Sequence, residues 1–221
     1  FDGQFSNQCY QDRIREAYFD LKRKNNVKGT LHETWKSLIF HLPYASHGKR
    51  IFSEIYKLES GKKLPDDSLA EQYDMDTLKT LAKSDEYRQF VKDKIYSAQL
   101  ASGQIGNMYA ASIFMSFISD LFYKADTLAA GDTLGFIAYG SGSKAKIFEG
   151  KLAQHFKEIA DKLNLDNRLK DRTAIDFSTY NELHRKNKTK SVIQPEQEFI
   201  LEEIEGNDEN LPGKRKYQFI N

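Results

Sequence analysis

Several features that would assign a function at once are missing from this chain. Cys9 is the single cysteine among 221 residues, which excludes an internal disulfide framework and a cysteine-rich zinc site and fits a reducing compartment such as the cytoplasm. Charge of one sign is missing too: 33 Lys and Arg face 32 Asp and Glu, a formal charge of +1, so no global field argues for nucleic acid or an anionic membrane surface as a partner. Any anion site must be local. The longest apolar stretch, "YAASIFMSFISDLFY", is broken by Ser112, Ser116, Ser119 and Asp120 and falls short of the ~20 apolar residues that a membrane span needs. No transmembrane helix or signal peptide is expected. The chain opens on "FDGQFSNQCY" without an initiator methionine, as a processed or truncated piece would, and its true start is expected upstream.

What is present reads as alternating helices and strands. Ser6 and Asn7 are expected to cap a first helix carrying Tyr10, Ile14, Tyr18 and Leu21 at three and four spacing. "WKSLIFHLP" reads as a short buried strand that ends at or just past His41 and is closed by Pro43. "ASHGKRIFSEIYKLESGK" is an amphipathic helix weakened at its start by Gly48 and stopped by Gly61. Residues 62–84 are a polar excursion with one short helix, and 85–103 a stronger helix. From Ile105 to Tyr123 apolar residues surround the helical wheel, which predicts a helix buried on most sides. "TLGFIAYGSGSKAKIFEG" forms a hairpin, two helices follow near 154–163 and 178–186, and "EFILEEIE" with "KRKYQFI" makes a last strand pair around "GNDENLPG". The order points to a layered α/β fold with a central helix between sheets.

Three constellations carry candidate chemistry. His41 sits at a strand end, where an imidazole with a pKa of ~6.5 can give or take a proton at neutral pH; the alternative is a histidine that merely ends the strand. The other histidines, His32, His47, His155 and His184, lie in polar stretches and are expected on the surface. In "GQIGNMYAAS", Asn107 caps a helix in the ordinary reading, or else offers its amide to a carbonyl oxygen beside the positive helix end. In "YGSGS", two glycines would admit a ligand close to the backbone, with Ser141 and Ser143 supplying hydroxyls, unless the segment is a plain hairpin turn. It has neither the lysine of a phosphate-binding P-loop nor the spacing of a dinucleotide fingerprint or a nucleophile elbow. Cys9 has no flanking base or cation to activate it and reads as a buried helix residue.

Taken in order, "FDGQFSNQCY", "IFHLPY", "GNMYAAS", "AGDTLGFIAYGSGS" and the closing "FILEEIE" with "KRKY" resemble the C-terminal half of the hydroxymethylglutaryl-CoA synthase family, condensing enzymes of thiolase fold. The resemblance covers nearly the whole chain and implies an α/β, thiolase-like layered fold, with residues 1–221 as the C-terminal domain. It implies a Claisen-type condensation of an acetyl group with acetoacetyl-CoA, using CoA thioesters as substrates and no metal or redox cofactor. The family's H-x-P-[FY] histidine falls on His41, which would bind the ketone oxygen and protonate the developing alkoxide. The G-N-x-Y asparagine falls on Asn107, set to orient the thioester carbonyl. The serines of Y-G-S-G and D-G-x-x-S fall on Ser141 and Ser6, along the acyl-pantetheine tunnel, with Tyr109, Tyr139, Gly140 and Gly142 shaping its wall.

Two departures qualify the match. The lysines that often follow the family's histidine at five and nine positions fall on Ser46 and Arg50, so one cation for CoA is lost and one kept, with Lys49 as a candidate substitute. Branching synthases of polyketide pathways, which take acyl groups on carrier proteins, are therefore an alternative. The family's acetyl-accepting cysteine and glutamate base precede "FDGQ" and have no counterpart here. A partner N-terminal half of the same enzyme is implied, as is a homodimer; a half-thiolase module without catalysis is the remaining alternative. Neither nucleic acid nor a membrane is expected as a partner.

Overall fold

The computed structural model describes residues 3–60, 75–140, 142–206 and 213–221. They divide into two compact units, Phe1–Leu169 and Lys170–Asn221.

The first unit begins with helix α1, Gly3–Lys24. Nothing between Gly3 and Tyr10 breaks a helix, so Ser6 and Asn7 lie inside its first two turns rather than capping it. Tyr10, Ile14 and Tyr18 recur every four residues and are all buried, while Lys22, Arg23 and Lys24 close the last turn, where cations suit the helix dipole. Strand β1, Ser37–Phe40, is buried at every position. Helix α2, His47–Ser60, follows Pro43 as expected. Gly48 has a tertiary reason: a Cβ there would lie 2.9 Å from the Phe40 ring, so the glycine lets α2 sit against the strand end. Gly61 and the excursion up to residue 74 lie outside the described residues. Next come α3, Met75–Lys83, α4, Asp85–Lys94, capped by Ser84, α5, Tyr96–Gln99, and α6, Ser102–Ile105.

The helix expected over 105–123 is broken. Gly106 adopts φ +92°, a 3-10 turn follows at Tyr109–Ala111, and α7 runs only from Ser112 to Tyr123. Its fully buried line is Ser112, Ser116, Ser119 and Asp120, while Phe114 is 67% exposed. Small hydroxyl residues let neighbouring backbones approach: Ser119 donates to the Ser97 carbonyl at 2.6 Å and accepts from the Ala101 N–H at 3.2 Å. The larger apolar side chains are displaced to the flanks.

Strands β2, Thr133–Gly140, and β3, Lys144–Lys151, complete a sheet of order β1-β2-β3, with β1 parallel to β2 and β3 antiparallel. Alternation divides the side chains between two faces. Leu38, Phe40, Ile137 and Ile147 pack with Tyr10, Ile14 and Tyr18 of α1, whereas Ile39 and Leu134 pack with Leu121 of α7 and Ala98 of α5. The sheet is thus layered between helices. Gly135 faces the Trp35 ring, which occupies the space a Cβ would need, and the Trp35 indole N–H donates to Glu149 at 2.7 Å.

Between α1 and α2 lies a buried ionic cluster. Arg15 pairs with Glu54 at 2.7 Å; Glu59 accepts from Lys22 at 2.5 Å and from the Tyr18 hydroxyl, and lies 2.8 Å from His32 Nδ1. His32 is therefore a core residue, contrary to the surface expectation: its carboxylate partner is 27 positions away and invisible locally. Helix α8, Phe156–Leu163, and helix α9, Leu165–Lys170, follow, the unit boundary falling at the last residue of α9; α9 is an addition to the elements expected.

The second unit contains α10, Phe177–His184, capped by Asp176, and the antiparallel strands β4, Glu198–Glu205, and β5, Lys214–Ile220, with a bulge between Leu201 and Glu203. Phe199 stands opposite Phe219, and Leu201 opposite Tyr217. These strands match expectation; most of their connection lies outside the described residues.

Candidate functional site

The site is organised around the end of β1. The His41 N–H donates to the Ile137 carbonyl at 2.9 Å, extending the pairing with β2 by one residue. Its own carbonyl accepts the Tyr10 hydroxyl at 2.7 Å. The backbone is thereby fixed on both sides, and the ring is held as well: Nδ1 lies 2.8 Å from Ser112 Oγ, which also accepts the Leu42 N–H at 3.0 Å. Burial pushes the His41 pKa down, and a hydrogen bond to the Tyr109 backbone opposes that shift. A half-buried imidazole with fixed orientation can serve a proton transfer or an oxyanion.

Asn107 belongs to the same turn. Its Oδ1 accepts the Tyr109 N–H at 2.8 Å, so it caps the 3-10 turn rather than α7, and its exposed amide NH2 stays available as a donor. Tyr109 adopts φ +49° and is 77% exposed, a left-handed conformation uncommon for a bulky residue. The Tyr109 backbone thus links His41 to Asn107. Of the residues singled out in the sequence, these three are brought together most directly.

Behind His41 lies an aromatic cluster. Tyr10 packs 4.1 Å from Tyr139 and meets His47 edge-on at 4.6 Å, and Tyr44 meets the other side of His47 at 4.6 Å. His47 is not a surface residue. It is 1% exposed, neither ring nitrogen has a hydrogen-bond partner among the described residues, and its pKa is pushed down to about 4 by burial, then by Arg50 and His41. Burial also raises the Tyr139 phenol. Ser6 is half-buried on α1, four residues before Tyr10. Cys9 is half-buried rather than enclosed. Gly140 ends β2 opposite Lys144, and a Cβ on Gly142 would meet open space. Ser141 lies outside the described residues.

Lys49 and Arg50 project from the first turn of α2 into a cavity of about 630 Å³. Lys79 of α3 and Arg88 of α4 join them, with Ser53 and Gln11 adding polar groups and Leu78, Ala82, Tyr87 and Val91 an apolar wall; the Tyr87 hydroxyl donates to the Lys49 carbonyl. Among its described lining residues there is no carboxylate. Such a pocket can hold a phosphorylated group beside a flat apolar one. Sequence reading missed Lys79 and Arg88, which lie outside every motif, and Ser112, whose signal was its place at the end of "GNMYAAS". Among the described residues no group of three or more His, Cys, Asp or Glu is placed to hold a metal, and no helix is long and apolar enough to cross a membrane.

The comparisons agree with one another. Residues 1–203 match the family model described as the C-terminal region of hydroxymethylglutaryl-coenzyme A synthase. A hydroxymethylglutaryl-CoA synthase from Enterococcus faecalis is 28% identical over 179 residues, covering 81% of this chain and 39% of that protein. The fold is that of MvaS in complex with 3-hydroxy-3-methylglutaryl coenzyme A (TM-score 0.78, 21% identity, 100% of this chain and 51% of that one). It is shared by the curacin-pathway HMG synthase in complex with holo donor-ACP (TM-score 0.68, 18% identity, 99% and 51%). This thiolase-like fold is the layered α/β class expected from the sequence. The chain spans about half or less of the length of the curated relatives it matches.

Proposed function

Because this chain belongs to the hydroxymethylglutaryl-CoA synthase family, matching its C-terminal region, we propose that it supplies the ketone-binding and CoA-binding part of an enzyme that condenses an acetyl-cysteine thioester with acetoacetyl-CoA to give 3-hydroxy-3-methylglutaryl-CoA. In this reading residues 1–221 are the C-terminal domain, and the cysteine and glutamate base belong to an N-terminal half of the same enzyme. A cytoplasmic homodimer is the assembly that goes with the family.

The chemistry follows from His41. The acetyl methyl, deprotonated by the glutamate, attacks the ketone carbon of acetoacetyl-CoA; a carbon–carbon bond forms and the carbonyl π pair moves onto oxygen. That alkoxide is more basic than imidazolate, so the N–H of His41 is set to hydrogen-bond it and then pass it a proton, which the ring takes back from water. The Asn107 amide orients the thioester carbonyl of the same substrate. Ser6, Ser141, Tyr139, Gly140 and Gly142 border the pantetheine. Water then cleaves the enzyme thioester. The observation carrying this reading is the anchored Nδ1 of His41 beside the turn that also holds Asn107.

The cationic cavity supports a CoA nucleotide at the far end, with Lys49, Lys79 and Arg88 joining Arg50 where Ser46 leaves a cation missing. That same Ser46 favours a second reading, in which the acetoacetyl group arrives on a carrier protein. Turnover of acetoacetyl-CoA compared with the acetoacetyl carrier protein separates the two.

The central test is His41→Ala in the full-length protein. Acetylation of the cysteine should survive while condensation falls by ~100-fold or more, the range of a lost general acid. Condensation at the original rate would end this assignment.

A further inference from the structure

We infer that Ser112 is a positioning residue for His41: its hydroxyl proton is donated to Nδ1, which holds the neutral ring as the Nε2–H tautomer and keeps the transferable proton on the nitrogen directed away from α7. The inference rests on the reading of His41 given above and adds the group that decides which ring nitrogen carries the proton.

The donors and acceptors around Ser112 fix the direction of this bond. A serine hydroxyl has one proton and two lone pairs. Ser112 is completely buried, so water cannot satisfy what the protein leaves unpaired, and a buried donor without an acceptor is costly. One lone pair takes the Leu42 N–H at 3.0 Å. For the proton, Nδ1 of His41 at 2.8 Å is the acceptor among the described hydrogen bonds. An Nδ1 that accepts is bare, and in a neutral imidazole the N–H then sits on Nε2.

The helix adds an independent reason. Ser112 opens α7, whose 12 residues end at Tyr123, and a helix N-terminus is electropositive. A proton on Nδ1 would face that positive end, whereas a lone pair is favoured there. When the ring does become charged, Ser112 need not move: its second lone pair can accept Nδ1–H once the hydroxyl rotates. The other titratable groups near this ring, Tyr10 on α1 and His47 on α2, meet its backbone or stack beside it and are not hydrogen-bonded to Nδ1; a further hydrogen bond joins the ring to the Tyr109 backbone.

The test uses the full-length protein labelled with ¹⁵N-histidine, with the His41 signals identified by their loss in His41→Ala. At pH 8 the wild type should show the Nε2–H tautomer, with Nδ1 in the range of a hydrogen-bonded acceptor. Ser112→Ala should give a tautomer mixture or Nδ1–H and lower condensation about 10-fold to 100-fold, with cysteine acetylation unchanged; Ser112→Thr should restore the tautomer. An Nδ1–H wild type overturns the proposal whether or not any variant folds. So does a Ser112→Ala protein in which either the tautomer or the condensation rate is unmoved. If His41→Ala condenses normally, the role of His41 fails instead, and the tautomer measurement still judges Ser112 by itself.

Discussion

His47 provides a quantitative check on how the site is packed. Its ring is 1% exposed, has no hydrogen-bond partner on either nitrogen among the described residues, and titrates near 4 in the fold against 6.5 outside it. A histidine whose folded pKa is lowered costs nothing above pH 6.5, where both states are neutral. It destabilises the fold as pH drops below 6.5, because the unfolded ring takes a proton that the folded ring refuses. At pH 5 the unfolded ring is protonated and the folded ring is still mostly neutral. The interval down from 6.5, at ~1.36 kcal/mol per pH unit, amounts to about 2 kcal/mol lost between pH 8 and pH 5. Replacing His47 by Phe keeps the edge contacts to Tyr10 and Tyr44, removes both unpaired nitrogens and abolishes this loss. His41 shifts in the same direction but is present in both proteins, so it cancels in the comparison. Thermal denaturation of the full-length protein and of His47→Phe at pH 8 and pH 5 is the assay. The wild type should lose about 2–4 °C more than the variant on acidification, taking ~1–2 °C per kcal/mol for a protein about twice the length of this chain. Equal pH dependence in the two proteins would refute the account of His47 as a neutral, unpaired residue behind His41.

Two further outcomes are expected. Arg50→Gln should raise KM for acetoacetyl-CoA about tenfold with kcat nearly unchanged, since a charge-assisted contact to a remote phosphate is worth ~1.5 kcal/mol and acts on substrate and transition state alike; an acetoacetyl-pantetheine substrate, which lacks the nucleotide, should not respond, and an equal response of both would sink the cavity as a nucleotide site. Gly135→Ala should cost about 2–3 kcal/mol, because the added Cβ enters the Trp35 ring and both are locked in the core. Gly29→Ala, where nothing lies within 4 Å, is the control, and similar melting temperatures for the two variants would contradict that packing.

Some of this could be read from the chain in advance because the signal was local. The strand before Pro43, the helix after it, the hairpin over 133–151 and the last strand pair follow from hydrophobic period and turn residues, and the structure places them within a few positions. The ordered motifs also put His41 and Asn107 forward as candidates. The misreadings share one cause: periodicity reports that a residue is apolar, not what it meets. The stretch 105–123 looked like one helix wrapped in apolar residues, yet the backbone breaks at Gly106 and the serines take the closest contacts. His32 and His47 looked polar in their local setting and are buried against groups up to 37 positions distant.

By itself, then, the sequence determined the class of layered fold, the nomination of His41, and the exclusion of disulfide and cysteine-rich zinc chemistry. Only the tertiary structure decided which groups touch His41. Ser112 is 71 residues away in the chain, and Lys79 and Arg88 reach the cavity of Arg50 from two other helices. The physical reason is that hydrogen bonds and charges act over a few ångströms of space, whatever the sequence separation, so a pattern that ranks residues one by one cannot say which of them share a proton or a phosphate.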